Sequence, residues 1–134
     1  MFDSLDISAS ALVAQRTRLD TIAQNVANIN TTHDVDGRSV PYRRRFAVFT
    51  PGQADDPTKP GVHVRKIELD QSPFRKVYDP TNPDADADGN VRQPNIDLAV
   101  EVVNAMEASR AYEANVTAME VTKAMINASL RLLA

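Results

Sequence analysis

Apolar residues return every seven positions at both ends of this chain and lose that period between them. At the N-terminal end Leu5, Leu12, Leu19 and Val26 stand seven apart, with Ser8, Gln15, Ile22 and Ile29 three residues after each. The spacing predicts one amphipathic helix over about residues 5 to 30, with a narrow seam and Asp3 or Ser4 as its cap. Asn25, Asn28, Asn30 and several Ser and Thr make it a mediocre helix former, so it needs a partner to persist.

The C-terminal end repeats the pattern more strongly. Leu98, Ala105, Tyr112, Met119, Ile126 and Leu133 are apolar at six successive sevenfold positions. Val102, Val116 and Leu130 fill the alternate seam, which Ser109 and Lys123 interrupt. Asn95 or Asp97 supplies the cap just after Pro94, Glu101 suits the first turn, and no Gly or Pro breaks residues 97 to 134. This reads as one long helix with a coiled-coil seam.

Between the helices the texture changes. Seven of the eight Pro and all four Gly lie between Gly37 and Gly89. Short strand-like runs appear at 45–50, 62–69 and 74–78, enough for a small twisted hairpin, with Val62 and Val64 on one face and Ile67 and Leu69 nearer the other. Segments 51–61 and 79–95 read as loops. The expected fold is mainly α: terminal helices at 1–32 and 96–134 packed as a coiled coil into one domain, around a strand- and loop-rich middle at 33–95.

Size gives this pattern a functional meaning. A helix of about 37 residues is roughly 55 Å long at 1.5 Å per residue. A compact globule of this chain length is only about 36 Å across. The long helix must project, and a wet seam forfeits about 1.5–3 kcal/mol of burial per large aliphatic side chain. Either the termini pair within one chain and pack against neighbours, or the long helix dimerises; the plainer alternative is an ordinary helical domain with a kinked last helix. The seam residues, Ile22 and Ile29 included, are therefore the expected assembly surface.

Composition removes other classes. The chain of 134 residues has no Cys and a net charge of −3, which excludes disulfides and thiol chemistry and gives no global pull toward nucleic acid or anionic lipid. The basic run Arg43-Arg44-Arg45 is short and reads as a solvated or inter-subunit face. The acidic N-terminus lacks the features of a secretory signal, and nothing approaches a membrane span. His33 and His63 are isolated, and no nucleophile elbow, phosphate loop or HExxH occurs. No enzyme, cofactor or small-molecule substrate is expected.

One stretch, Pro83 to Asn90 (PDADADGN), begins like a calcium loop, with Asp84, Asp86, Asp88 and Asn90 at ligand spacing. The twelfth position is Asn95 rather than a bidentate Glu, and a Pro-rich segment precedes it where an entering helix belongs. It is a weak candidate, and a calcium-responsive module or soluble coiled-coil adaptor is the alternative function.

Three segments together resemble a known family. The run Ala14-Gln15 with Leu19 to Thr31 (LDTIAQNVANINT), which holds Asn25, Asn28 and Asn30, is similar to the N-terminal signature of the bacterial flagellar axial proteins. Glu107 to Asn115 (EASRAYEAN), with Arg110, Tyr112 and Asn115, resembles their other terminal signature. In the middle, Pro41 to Arg44, Ser72 to Phe74, Val77 to Pro80, Pro83 to Asp86 and Val91 to Ile96 narrow the resemblance to the proximal rod proteins. The resemblance implies a structural rod subunit of the flagellar basal body, with both terminal helices in the inner tube of a helical drive shaft that transmits torque. It implies copies of the chain, other proximal and distal rod proteins, the ring–rod junction protein and the membrane ring as neighbours. It further implies a periplasmic location and export without a cleavable signal peptide.

Overall fold

A computed structural model describes residues 2–133; the expected outer boundaries at Met1 and Ala134 lie outside them. Helix α1 spans Phe2–Ala27 and α2 spans Leu98–Leu133, with four short strands between: β1 Arg45–Pro51, β2 Val62–Leu69, β3 Arg75–Tyr78 and β4 Asn90–Gln93. The fold is thus two helices packed on each other around a small strand-containing middle. Asp97 caps α2 by accepting from the N–H groups of Ala99 (2.9 Å) and Val100 (3.4 Å). Asp3 and Ser4 lie inside the first turn of α1 instead of capping it. The expected end at residue 30 retreats to Ala27, after which hydrogen-bonded turns carry the chain to Thr31. Clustered Asn residues favour such turns over another helical rung.

The helices run antiparallel. Arg18 meets Glu107 at 3.4 Å and Asn25 meets Glu101 at 3.1 Å. Extrapolating from those pairs, the start of α1 lies opposite about residue 124, so roughly 13 Å of α2 continues past it. The covered stripe of α2 holds Glu101, Ala105, Ala108, Tyr112, Asn115, Met119, Thr122 and Ile126. Ala105, Tyr112, Met119 and Ile126 fall where the sevenfold period puts them. The alternate positions of that stripe are Glu101, Ala108, Asn115 and Thr122, one residue before the expected Val102 and Val116 row. Small and polar groups occupy them, matched on α1 by buried Ser8, Ala14, Thr21 and Asn25. An apolar-only reading passes over such a row. Leu5, Leu12, Leu19, Val26, Ile29 and Val116 are half-buried and Ile22 is buried, whereas Leu98, Val102, Leu130 and Leu133 are exposed.

The β1–β2 hairpin lies on α1, where the Val62 N–H donates to Ser10 Oγ at 3.1 Å. Gly61 permits the approach: its φ is +150° and a Cβ there would stand 2.9 Å from Ser10 Oγ. The ladder shifts register between Val48 and Phe49, leaving Arg65 as an extra residue on β2. That bulge changes the predicted facing. With Phe49 opposite Val64 and Ala47 opposite Ile67, the residues Val62, Val64, Ile67 and Leu69 share one side.

Strand β4 lies in what the sequence reads as a loop. It pairs antiparallel with β3, Val77 opposite Val91, and Val91 is buried. Four residues with one inward Val give too little alternation to register as a strand. The apolar core among the described residues is small: Ala14, Ile22, Val91, Ile96 and Ala108.

Candidate functional site

The most constrained chemistry sits where α1 ends and α2 begins. Asn25, near the end of α1, is fully buried. Its Oδ1 accepts from the Arg45 N–H at 2.9 Å, and its Nδ2 donates to the Arg45 carbonyl at 2.8 Å and to Glu101 Oε2 at 3.1 Å. Glu101, also fully buried, accepts from Arg44 Nε at 2.5 Å through its other oxygen. Arg44 extends the chain of contacts to Asp70, 3.5 Å away at the end of β2. Asn95 completes the clasp: its Oδ1 accepts from the Arg44 N–H at 2.9 Å, and its Nδ2 donates to the carbonyls of Asp70 (3.1 Å) and Ser72 (3.2 Å).

These bonds join both helices, the linker before β1, the end of β2 and the loop after β4. A buried carboxylate is tolerated only when paired and hydrogen-bonded, and Glu101 has both. Asp70 is itself held below the ordinary aspartate range, chiefly by the hydroxyl and N–H of Ser72 and also by the Arg44 guanidinium.

The run Arg43 to Arg45 is accordingly not a simple solvated face. Arg44 is spent on the clasp. Arg43 donates to the carbonyls of Asp70 (2.9 Å) and Ser72 (3.0 Å) and stacks 4.2 Å from the Phe74 ring centroid. Arg45 stands over Tyr42 at 5.4 Å. Sequence reasoning missed Glu101 in particular, which it read as a first-turn acid. A lone carboxylate in the apolar run Ala99-Val100-Glu101-Val102-Val103 is the signal that was available.

The terminal signature residues divide by role. Asn25 is central to the clasp. Asn28 donates to the Gln24 carbonyl at 2.8 Å and accepts from the Thr31 hydroxyl at 3.1 Å, shaping the exit from α1. Asn115 donates to the Ala111 carbonyl at 2.7 Å within α2. Tyr112 is half-buried, and Asn30 and Arg110 are exposed.

The acidic stretch from Pro83 to Asn90 forms the turn between β3 and β4. Asp86 Oδ1 accepts from the N–H groups of Asp88 (3.0 Å) and Asn90 (2.9 Å), and Asp84 meets His33 at 3.1 Å. Gly89 sits at φ +77°, with the Tyr78 ring 2.9 Å from where a Cβ would be. Among the described residues no group of three or more His, Asp or Glu is gathered for a metal ion.

A second feature is apolar and uncovered. Leu98, Val100, Val102, Val103 and Met106 are each about half exposed or more, and the far end of α2 shows Leu132 and Leu133 at 88 % and 85 %. No helix among the described residues is long and apolar enough to cross a membrane. The arrangement therefore pairs a rigid polar clasp with apolar helix faces that the chain itself leaves open.

Comparison with known proteins bears on both features. Residues 5–32 match the family model "Flagella basal body rod protein", and residues 87–132 match "Flagellar basal body rod FlgEFG protein C-terminal". The chain is similar to the flagellar basal-body rod protein FlgC of Bacillus subtilis strain 168, 44 % identical, with 98 % of this chain and 97 % of the relative covered. It is 40 % identical to FlgC of Salmonella typhimurium over 98 % of this chain and 97 % of that one. FlgC of Borreliella burgdorferi is 37 % identical, with 99 % and 97 % covered.

Proposed function

The chain belongs to the FlgC family of flagellar basal-body rod proteins and is a structural subunit of that rod, not an enzyme, and from this premise we propose that it assembles through the apolar faces its terminal helices leave uncovered. In this reading α1 and α2 pack with the terminal helices of further copies and of other proximal and distal rod components, as coiled coils forming the inner tube of a torque-transmitting shaft. The strand-bearing middle faces outward. The subunit works in the periplasm, beside the ring–rod junction, and reaches it without a cleavable signal peptide.

The observation that carries the reading is the uncovered length of α2. About nine residues pass beyond α1, and along the helix Leu98 and Val102 are about half exposed, Leu130 more than half and Leu133 almost wholly. Such patches on a helix mark protein contact.

Val103→Glu and Leu132→Glu test it, since both side chains are mostly exposed, at 62 % and 88 %. Each variant is expected to keep its folded stability within about 0.5 kcal/mol. Each is expected to be exported yet absent from purified basal bodies, with motility lost. Normal rod content and normal swimming in both strains would overturn the proposal.

A further inference from the structure

The outer face of the β3–β4 pair is a strongly basic and aromatic surface that the chain does not neutralise. Register puts Lys76 directly opposite Arg92 and Tyr78 opposite Asn90, on the side away from buried Val91. Phe74, two residues before Lys76, lies on that same side and takes two guanidinium groups, Arg43 at 4.2 Å and Arg92 at 6.0 Å from its ring centroid. Like charges directly opposed across a strand pair destabilise it. Among the described residues neither Lys76, Arg92, Arg43 nor neighbouring Arg75 has a carboxylate within 4 Å. Arg43 and Arg92 reach only backbone carbonyls and the ring, and Arg75 reaches the Gln93 amide. A surface that keeps this repulsion is complementary to an acidic partner.

The same hairpin carries one. Residues 79–90 contain four Asp and no Lys or Arg, and among the described residues only Asp84 of these meets a basic side chain, His33 at 3.1 Å. Base and tip of one β pair therefore have opposite charge, and among the described residues no ion pair joins them. We propose that the acidic β3–β4 turn of one copy, led by Asp88, docks on the basic outer face of the β3–β4 pair in the next copy. The contact is head-to-tail. Because different patches meet, it does not close on itself as a twofold dimer would, and repeated copies generate a ring or a helix. This rests on the reading that copies of the chain lie side by side in the rod, and it assigns the middle segment a contact separate from the helix faces.

The absence of Cys from the chain makes a direct test clean. Lys76→Cys and Asp88→Cys are introduced together into the full chain, basal bodies are isolated and oxidised, and the product is run without reductant. A ladder of dimers and higher multiples is expected, at least roughly tenfold above either single variant. Rods that assemble but yield no ladder overturn the contact while leaving the helix-face reading intact. A charge swap supplies the second arm. Lys76→Glu with Arg92→Glu is expected to reduce rod incorporation about tenfold or more by setting like charges together. Adding Asp88→Lys in the same chain is expected to restore it. Full incorporation of the reversed face alone, or loss that the swap does not rescue, would overturn the second copy as the occupant.

Discussion

The two ends of α2 follow opposite rules. At its start a fully buried Glu101 is gripped by Arg44 and Asn25. At its end Leu132 and Leu133 are almost entirely exposed. A chain stabilising itself alone would bury the leucines and leave the glutamate wet. Under the proposed function the inversion separates two tasks: the polar end fixes the helix to its own subunit in one register, and the apolar end is left for neighbours. Polar groups suit the first task because hydrogen bonds are directional and punish a slipped register, whereas apolar burial is non-directional.

Removing the clasp should break the anchored end most. Glu101→Ala leaves Arg44 without its nearest counter-charge and Asn25 Nδ2 with one of its two acceptors, and is expected to destabilise the subunit by about 3–5 kcal/mol. A domain of this kind has only about 5–15 kcal/mol in total, so denaturant unfolding should show an early transition or none. Glu101→Gln keeps the shape and one acceptor and should fall between. Asn25→Leu is the next step down. It leaves the part-buried Arg45 N–H and carbonyl without their partner and removes one donor from buried Glu101, at about 1–3 kcal/mol. Should either Ala or Leu leave the unfolding midpoint unchanged, the clasp is decoration and the contrast between the two ends fails.

How much of this the sequence carried depends on the kind of force involved. The sevenfold period placed both helices to within three residues, because apolar spacing on a helix is a local property. It also marked Leu130 and Leu133, which the structure leaves exposed. Of the covered stripe on α2, the alternate positions escaped because Glu101, Asn115 and Thr122 are polar, and polarity alone reads as solvent-facing. Asn25 was visible as part of a signature, but its work depends on Arg45, twenty residues on, and on Glu101, beyond the whole middle segment. Long-range polar pairing leaves no periodic trace. Strand β4 and the bulge at Arg65 were hidden for the opposite reason: each is too short to establish a period of two. The acidic turn shows the same limit, since spacing resembling a calcium loop also serves Asx turns, and Asp86 spends its oxygen there.

The smallest expected effect concerns the rim of the clasp and its pH dependence. Asp70 has its carboxyl held below the ordinary value of 3.8, first by the Ser72 hydroxyl and N–H, with Arg44 adding to it. A carboxylate whose folded pKa is depressed releases its proton more readily in the folded state. Its contribution is therefore complete above the unfolded value and disappears as pH falls through the folded one. Asp70→Asn should lower stability modestly near neutral pH, because the side chain is a quarter exposed and solvent screens the Arg44 contact. The gap between wild type and variant should stay constant down to the ordinary aspartate range and then close on further acidification. Unfolding midpoints of the two proteins across that range give the measurement. A gap that widens toward acid would mean that Asp70 is not the stabilising anion, and that Arg44 is held by Glu101 alone.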